Sequence, residues 1–199
     1  MNFIFIKIYD HLVIKFKKPI WAIVNFLILK FSNITYQEFP KIDGLLIIKN
    51  RGKIRIGKKV IINSSRYGNP VGNLEKTTFF CSPKGNIKIG NHVAMSRVLM
   101  FSQNSISIED YVMIGGGVQI WDTDFHPINF EDRIINDISK IRTNPVLLKK
   151  GAFVGANSII LKGVTIGENS VIAAGSVVSK NIPCNEIWGG NPARLIKKM

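Results

Sequence analysis

Acidic residues are scarce in this chain: 13 Asp and Glu stand against 27 Lys and Arg, a formal charge of +14 over 199 residues. Such a balance favours polyanionic partners, whether nucleic acid, anionic lipid or a phosphate-rich substrate. No zinc finger, helix-turn-helix or aromatic-basic RNA motif is present, so nucleic acid is set aside. Cysteine is rarer still. Cys81 and Cys184 lie far apart with no CxxC pair, which gives neither a disulfide framework nor a zinc signature, and both are expected as buried or half-buried free thiols in a reducing, cytoplasmic compartment. Long uncharged apolar runs are also missing. Residues 1–35 set Lys7, Lys15, Lys17, Lys18 and Lys30 among apolar side chains, and the uncharged run from Pro19 to Leu29 is about half of the ~20 residues that a spanning helix needs. No small-residue cleavage site follows, which argues against a signal peptide. Two readings of this segment stand: helices packed on the rest of the chain or on a neighbouring subunit, or a basic amphipathic surface in peripheral contact with the inner face of the membrane.

What the chain does contain is a count in sixes. Leu148, Val154, Ile160, Ile166, Ile172 and Val178 are aliphatic at a fixed spacing. The next residue is often small (Gly155, Gly167, Ala173, Ser179), and so is the fourth (Ala152, Ser158, Ser170, Ser176). Six fits neither the 3.6 period of a helix nor the 2.0 period of a flat strand, but it fits a chain that turns a corner every six residues. That pattern predicts a mainly β fold, a parallel β-helix whose coils stack because one coil cannot bury its own inner face.

The count divides the chain into an N-terminal helical segment at 1–40, a β-helix at 41–183 and a C-terminal cap at 184–199. It starts with Ile56 and Ile62, breaks, returns at Ile89, Met95 and Phe101, slips by one residue, and resumes at Ile108, Ile114 and Ile120. Residues 64–85, rich in Gly, Pro and Asn, read as a loop leaving a corner. Residues 121–147 read as a second excursion, and the basic, apolar end as a short helix or tail closing the stack.

The six-residue frame, the DTDFHPI stretch at 122–128 and the closing GNPAR at 190–194 together resemble the hexapeptide-repeat O-acetyltransferases, of the maltose and galactoside acetyltransferase type and the bacterial surface-polysaccharide type. The resemblance covers roughly residues 45–199. It implies a left-handed β-helix, a homotrimer, and acetyl-CoA as co-substrate in the groove between neighbouring subunits, with no metal required. By the family's pattern the matching HP pair makes His126 the general base. Ala156 and Ala174 match positions that floor the pantetheine groove, and Ser179, Lys180, Arg194 and Lys197 match the phosphate-end contacts. Ser96 falls where the family often has an acceptor-contacting Asn.

The residues support that chemistry in their own right. Moving an acetyl group to a sugar hydroxyl needs a base, and histidine, with an ordinary pKa near 6.5, suits the task. Of His11, His92 and His126, only His126 opens a loop, where specificity is added without disturbing the stack. Asp124, two residues away in an extended stretch, or Asp122 is expected to orient its ring, while Arg133 is a candidate for meeting sugar hydroxyls. Without a nucleophilic Cys or Ser, direct transfer is expected. The acceptor expected is a sugar or lipid-linked glycan of capsule, O-antigen or exopolysaccharide synthesis. The alternatives are a small free acceptor (sugar, serine or antibiotic) and a non-catalytic trimeric scaffold. A γ-type carbonic anhydrase on the same coil would need three zinc-binding histidines that this chain does not supply.

Overall fold

The computed structural model describes residues 18–199, and the part of the N-terminal segment before Lys18, His11 included, lies outside them. Helix α1 covers residues 18–31. Six coils follow: β1 (Thr35–Tyr36), β2 (Lys41–Gly44), β3 (Ile47–Asn50); β4 (Lys53–Ile56), β5 (Ile61–Ser64), β6 (Thr78–Cys81); β7 (Asn86–Ile89), β8 (Ala94–Ser96), β9 (Leu99–Ser102); β10 (Ile106–Ile108), β11 (Met113–Ile114), β12 (Gln119–Trp121); β13 (Val146–Leu148), β14 (Phe153–Val154), β15 (Ile159–Ile160); and β16 (Thr165–Ile166), β17 (Val171–Ile172), β18 (Val177–Val178). The first strands of all coils pair in parallel into one sheet, the second strands into another and the third strands into a third, so the chain winds a three-sided prism. This is the left-handed β-helix.

Each aliphatic of the six-residue count faces the axis and stacks on its equivalent three steps of six further on. Leu148 pairs with Ile166, Val154 with Ile172 and Ile160 with Val178, and all six are fully buried. Burying each such side chain contributes roughly 1.5–3 kcal/mol. The small residues occupy the corners. A Cβ on Gly155 would lie 2.5 Å from the amide nitrogen of Ala174 in the coil above, so only glycine permits that stacking distance. Ser158 and Ser176 are buried and both donate to the carbonyl of Ala173, which satisfies their hydroxyls without water.

Five expectations are corrected. Phe101 faces outward, and Met100 is the core residue, paired with Ile120. The cause is the corner Ser96–Val98, one residue shorter than the Gly115–Val118 corner above it, so the count already slips before Met100, and a longer corner after Ser102 returns it to Ile108. The first excursion spans residues 65–77 and not 64–85, because β6 rejoins the third sheet and places Phe79 in the core. The C-terminal end is a strand pair rather than a helix. β19 (Glu186–Gly189) extends the second sheet from β17, and β20 (Arg194–Lys198) folds back antiparallel on it. The prism also begins at Thr35, within the stretch assigned to the N-terminal segment. Cys81 is buried as expected, whereas Cys184 is exposed.

The helix caps the N-terminal end of the core. Leu29 is fully buried, and the buried Asn25 amide donates to the Gly44 carbonyl at 2.8 Å while its oxygen accepts from the Leu46 amide at 3.1 Å. Ile20, Ile23, Leu27 and Phe31, by contrast, are exposed along it. No helix among the described residues is long and apolar enough to cross a membrane.

Candidate active site

The candidate residues collect on two edges of the prism. One is the edge where the chain passes from the second sheet to the third. Here Ser96 is buried, and its hydroxyl accepts from the side-chain amides of Asn63 at 3.2 Å and Asn69 at 3.1 Å. Asp43, Asn63 and Ser96 share one register row of the second sheet, and the residue-65–77 loop lays Gly68 against the Asp43 carboxylate. Amides stand where the family pattern has Asn, brought from the coil below and from the loop. Asn63 and Asn69 were missed in the sequence. The signal was present for Asn63, which follows the inward Ile62 as Ser96 follows the inward Met95.

The loop is pinned over this edge by Arg97, which is fully buried. Its guanidinium donates to the carbonyls of Val71 and, at 2.9 Å, Leu74. Burial pulls the Arg97 pKa below its ordinary value, with Arg66 adding repulsion. Further along, the Val71 carbonyl sits where a side chain on Gly116 would be, and the Asn73 amide donates to Asn157 Oδ1 at 3.1 Å. Beyond the loop come Ala156, half-buried, and Ala174, exposed. Their methyl side chains make a strip of small residues along the edge. Arg194 closes the strip at the C-terminal end, opposite Gly189 in the terminal strand pair.

The other edge joins the third sheet to the first. Residues 122–145 leave it, carrying a short helix α2 (Phe130–Ile134) and a 3-10 turn at Ile138–Lys140. Asp122 is fully buried and accepts from Ser102 Oγ at 2.7 Å and from the amides of Gln103 at 2.7 Å and Asn104 at 2.9 Å. It builds the corner. Phe125 adopts φ +62°, and the His126 amide donates to the Asp124 carbonyl at 2.7 Å. Residues 123–126 are therefore a turn and not an extended stretch, so the two-residue spacing does not point Asp124 and His126 the same way. The Asp124 carboxylate pairs with Lys162 at 2.9 Å and, more distantly, Arg142 at 3.8 Å. Among the described residues neither carboxylate bonds to the imidazole, and both are anchored to the loop base. His126 is exposed at the turn it opens. Arg133 Nη1 donates to the carbonyls of Pro127, at 3.3 Å, and Ile128, at 2.8 Å, and so braces its own loop.

Within one chain the two edges do not meet. Ser96, Ala156, Ala174 and Arg194 lie along one, and His126 stands on the other. Exposed Ser179 and Lys180 follow β18 on the His126 side, and Lys197, also exposed, sits opposite Ile187 in the terminal strand pair at the edge of the second sheet. His92, with φ +56°, stacks on Tyr111 at 4.7 Å between ring centres at the remaining edge and belongs to neither group.

Comparison with known proteins agrees with this architecture. Residues 145–180 match the bacterial transferase hexapeptide family of six repeats. Protein CapG of Staphylococcus aureus is 37% identical over 140 residues, covering 67% of this chain and 68% of CapG. A hexapeptide-repeat acetyltransferase of Vibrio cholerae, solved in complex with acetyl-CoA, superposes with a TM-score of 0.52 at 30% identity; the match covers 60% of this chain and 64% of that one, under two thirds of its length. A maltose O-acetyltransferase of Clostridium difficile shares the fold at a TM-score of 0.55 and 23% identity, over 96% of this chain and 88% of that one. With the coil, the corner glycines and the loop-borne histidine in place, the chain belongs to the bacterial hexapeptide-repeat transferase family and is an acyltransferase.

Proposed function

We propose that the protein is an acetyl-CoA-dependent O-acetyltransferase that modifies a sugar hydroxyl in capsule, O-antigen or exopolysaccharide synthesis. The observation that carries this reading is the division of the site between two edges of the prism. A strip of small side chains ending in cations, with a polar cluster at Ser96, is half of an acyl-transfer site, and the exposed imidazole of His126 is the other half. A homotrimer places the His126 edge of one subunit against the Ser96 edge of the next. The outer face of the second sheet supports such an assembly, since Ile61, Met113 and Phe153 are exposed along one register row.

In this arrangement Ala156 and Ala174 line the pantetheine arm, while Arg194 and Ser179, Lys180 and Lys197 of the adjoining subunit meet the phosphates as charges and donors. Ser96, Asn63 and Asn69 hold the acceptor. His126 takes the proton from the acceptor hydroxyl as its oxygen attacks the thioester carbonyl. The tetrahedral oxyanion collapses, the C–S bond breaks, and the departing thiolate of coenzyme A recovers the proton from His126. No acyl-enzyme forms. The solved acetyl-CoA complex of the Vibrio cholerae relative supports the donor, and the charge of +14 suits a polyphosphorylated co-substrate. A peripheral contact of residues 1–35 with the cytoplasmic leaflet fits the exposed Ile23, Leu27 and Phe31 beside Lys18 and Lys30.

The test is the O-acetyl content of the cell-surface glycan in a strain whose own copy carries His126→Ala. Loss of acetate with normal protein level and fold is the expected result, and the purified variant should lose roughly a hundred- to ten-thousand-fold in kcat. Unchanged acetate removes His126 as the base.

A further inference from the structure

We infer that the cleft between α1 and the residue-65–77 loop is a second saccharide subsite, which holds a sugar unit next to the one acetylated. The inference rests on the sugar-acetyltransferase reading and extends it, because it makes the acceptor a glycan chain rather than a single free sugar. The cleft has a volume of about 590 Å³, within the range of roughly 300–1,000 Å³ typical of small-molecule sites. Trp21 of α1 lines it from one element and Tyr67 of the loop from another, with Ser65, Arg66, Glu75 and Lys76 also on its walls. The ion pair of Arg66 with Glu75, at 3.4 Å, is exposed on both sides and free to exchange partners with a ligand.

This combination suits a pyranose. The ring's C–H face packs against a flat aromatic side chain whose own polar end stays hydrated, and its hydroxyl rim needs the mixed donors and acceptors that Ser65, Arg66, Glu75 and Lys76 supply. Position supports the same occupant. Tyr67 and Asn69 are two residues apart on one turn, held by the Tyr67 amide donating to Ser65 Oγ at 3.0 Å, and Asn69 reaches Ser96. The cleft therefore adjoins the acceptor cluster on the side away from Ala156 and Ala174. The donor strip runs to the C-terminal end of the prism and the cleft to the N-terminal end, so a glycan entering from the α1 side places one unit at Ser96 and its neighbour between Trp21 and Tyr67.

The experiment compares acceptors of two lengths, both from the chemically O-deacetylated surface glycan of the producing strain: its constituent monosaccharides, and oligosaccharides of two or more repeat units. Wild type is expected to favour the oligosaccharides. Tyr67→Ala and Trp21→Phe,Tyr67→Ala should lower kcat/KM for them about fivefold, the loss falling on KM, because one ring-stacking contact is worth about 1 kcal/mol. Transfer to monosaccharides and the KM for acetyl-CoA should not change. Equal losses on both acceptor lengths, or none on either, overturn the subsite. Calorimetric binding of the oligosaccharides to the His126→Ala protein separates this failure from failure of the parent reading. If wild type acetylates no sugar but the oligosaccharides bind and Tyr67→Ala abolishes it, the subsite stands without the reaction; absence of binding overturns it.

Discussion

Single residues in this protein do work that their neighbours in sequence do not reveal. Asp122 and Asp124 flank the histidine turn, yet one completes a buried corner and the other an ion pair with Lys162. Their replacement is expected to act through the loop: Asp122→Ala leaves the Gln103 and Asn104 amides without their acceptor, at roughly 1–3 kcal/mol of stability. Asp110 illustrates a corner carboxylate whose effect depends on pH. Its oxygens accept from the Asn91 amide at 2.7 Å and from the Asn91 side chain at 3.2 Å, and these bonds, with the amide first, hold its pKa below the ordinary carboxylate value despite partial desolvation. A depressed folded-state pKa stabilises the fold above the unfolded value, near 3.9, and that contribution fades as pH falls through the folded value. Asp110→Asn should therefore be less stable than wild type in urea at pH 7, with the difference shrinking toward pH 3. A difference independent of pH would show that the hydrogen-bond geometry matters and the charge does not.

At the scale of elements, the residue-65–77 loop is held by a few polar tethers, of which Arg97 is the buried one. A loop emerging from a β-helix corner has few apolar contacts of its own, and this one is held by Arg97 from beneath and by Asn157 from the coil above. Arg97→Met keeps the apolar stem but frees the Val71 and Leu74 carbonyls. The expected cost is about 1–3 kcal/mol, together with a raised KM for the acceptor and an unchanged KM for acetyl-CoA. Protease nicking confined to residues 65–77 would check the same point directly; uniform loss of structure would count against a local tether. The strands tolerate far less. Leu148→Ala empties a position buried between Ile108 and Ile166 and should cost about 2–5 kcal/mol in equilibrium unfolding.

For the whole molecule, the expectation is that activity belongs to the interface between copies. His126→Ala removes one half of a site and Ala156→Phe fills the other, and each variant alone should be inactive. Unfolded together and refolded, the two should recover about a quarter of wild-type activity, the fraction of interfaces that pair an intact histidine edge with an intact groove edge under random mixing. No recovery in mixed trimers would show that the two edges do not form one site. Met113→Asp and Phe153→Asp, on the outer row of the second sheet, should shift the protein to monomers in sedimentation and remove activity with it.

The spacing of aliphatic residues alone determined the coil, its sheets and much of its core, because a stacked corner every six residues imposes a local rule that repeats in the chain itself. It misplaced Phe101 where one corner is a residue short, since corner length alters the facing of everything after it and leaves no mark in composition. It also marked the histidine loop, by residue type and position between coils. Only the tertiary structure decided what the carboxylates beside His126 are bonded to, that Asn63 and Asn69 converge on Ser96, and that a buried arginine ties down the first loop. Those contacts join residues from different coils, and their partners are chosen by stacking and not by nearness in the chain.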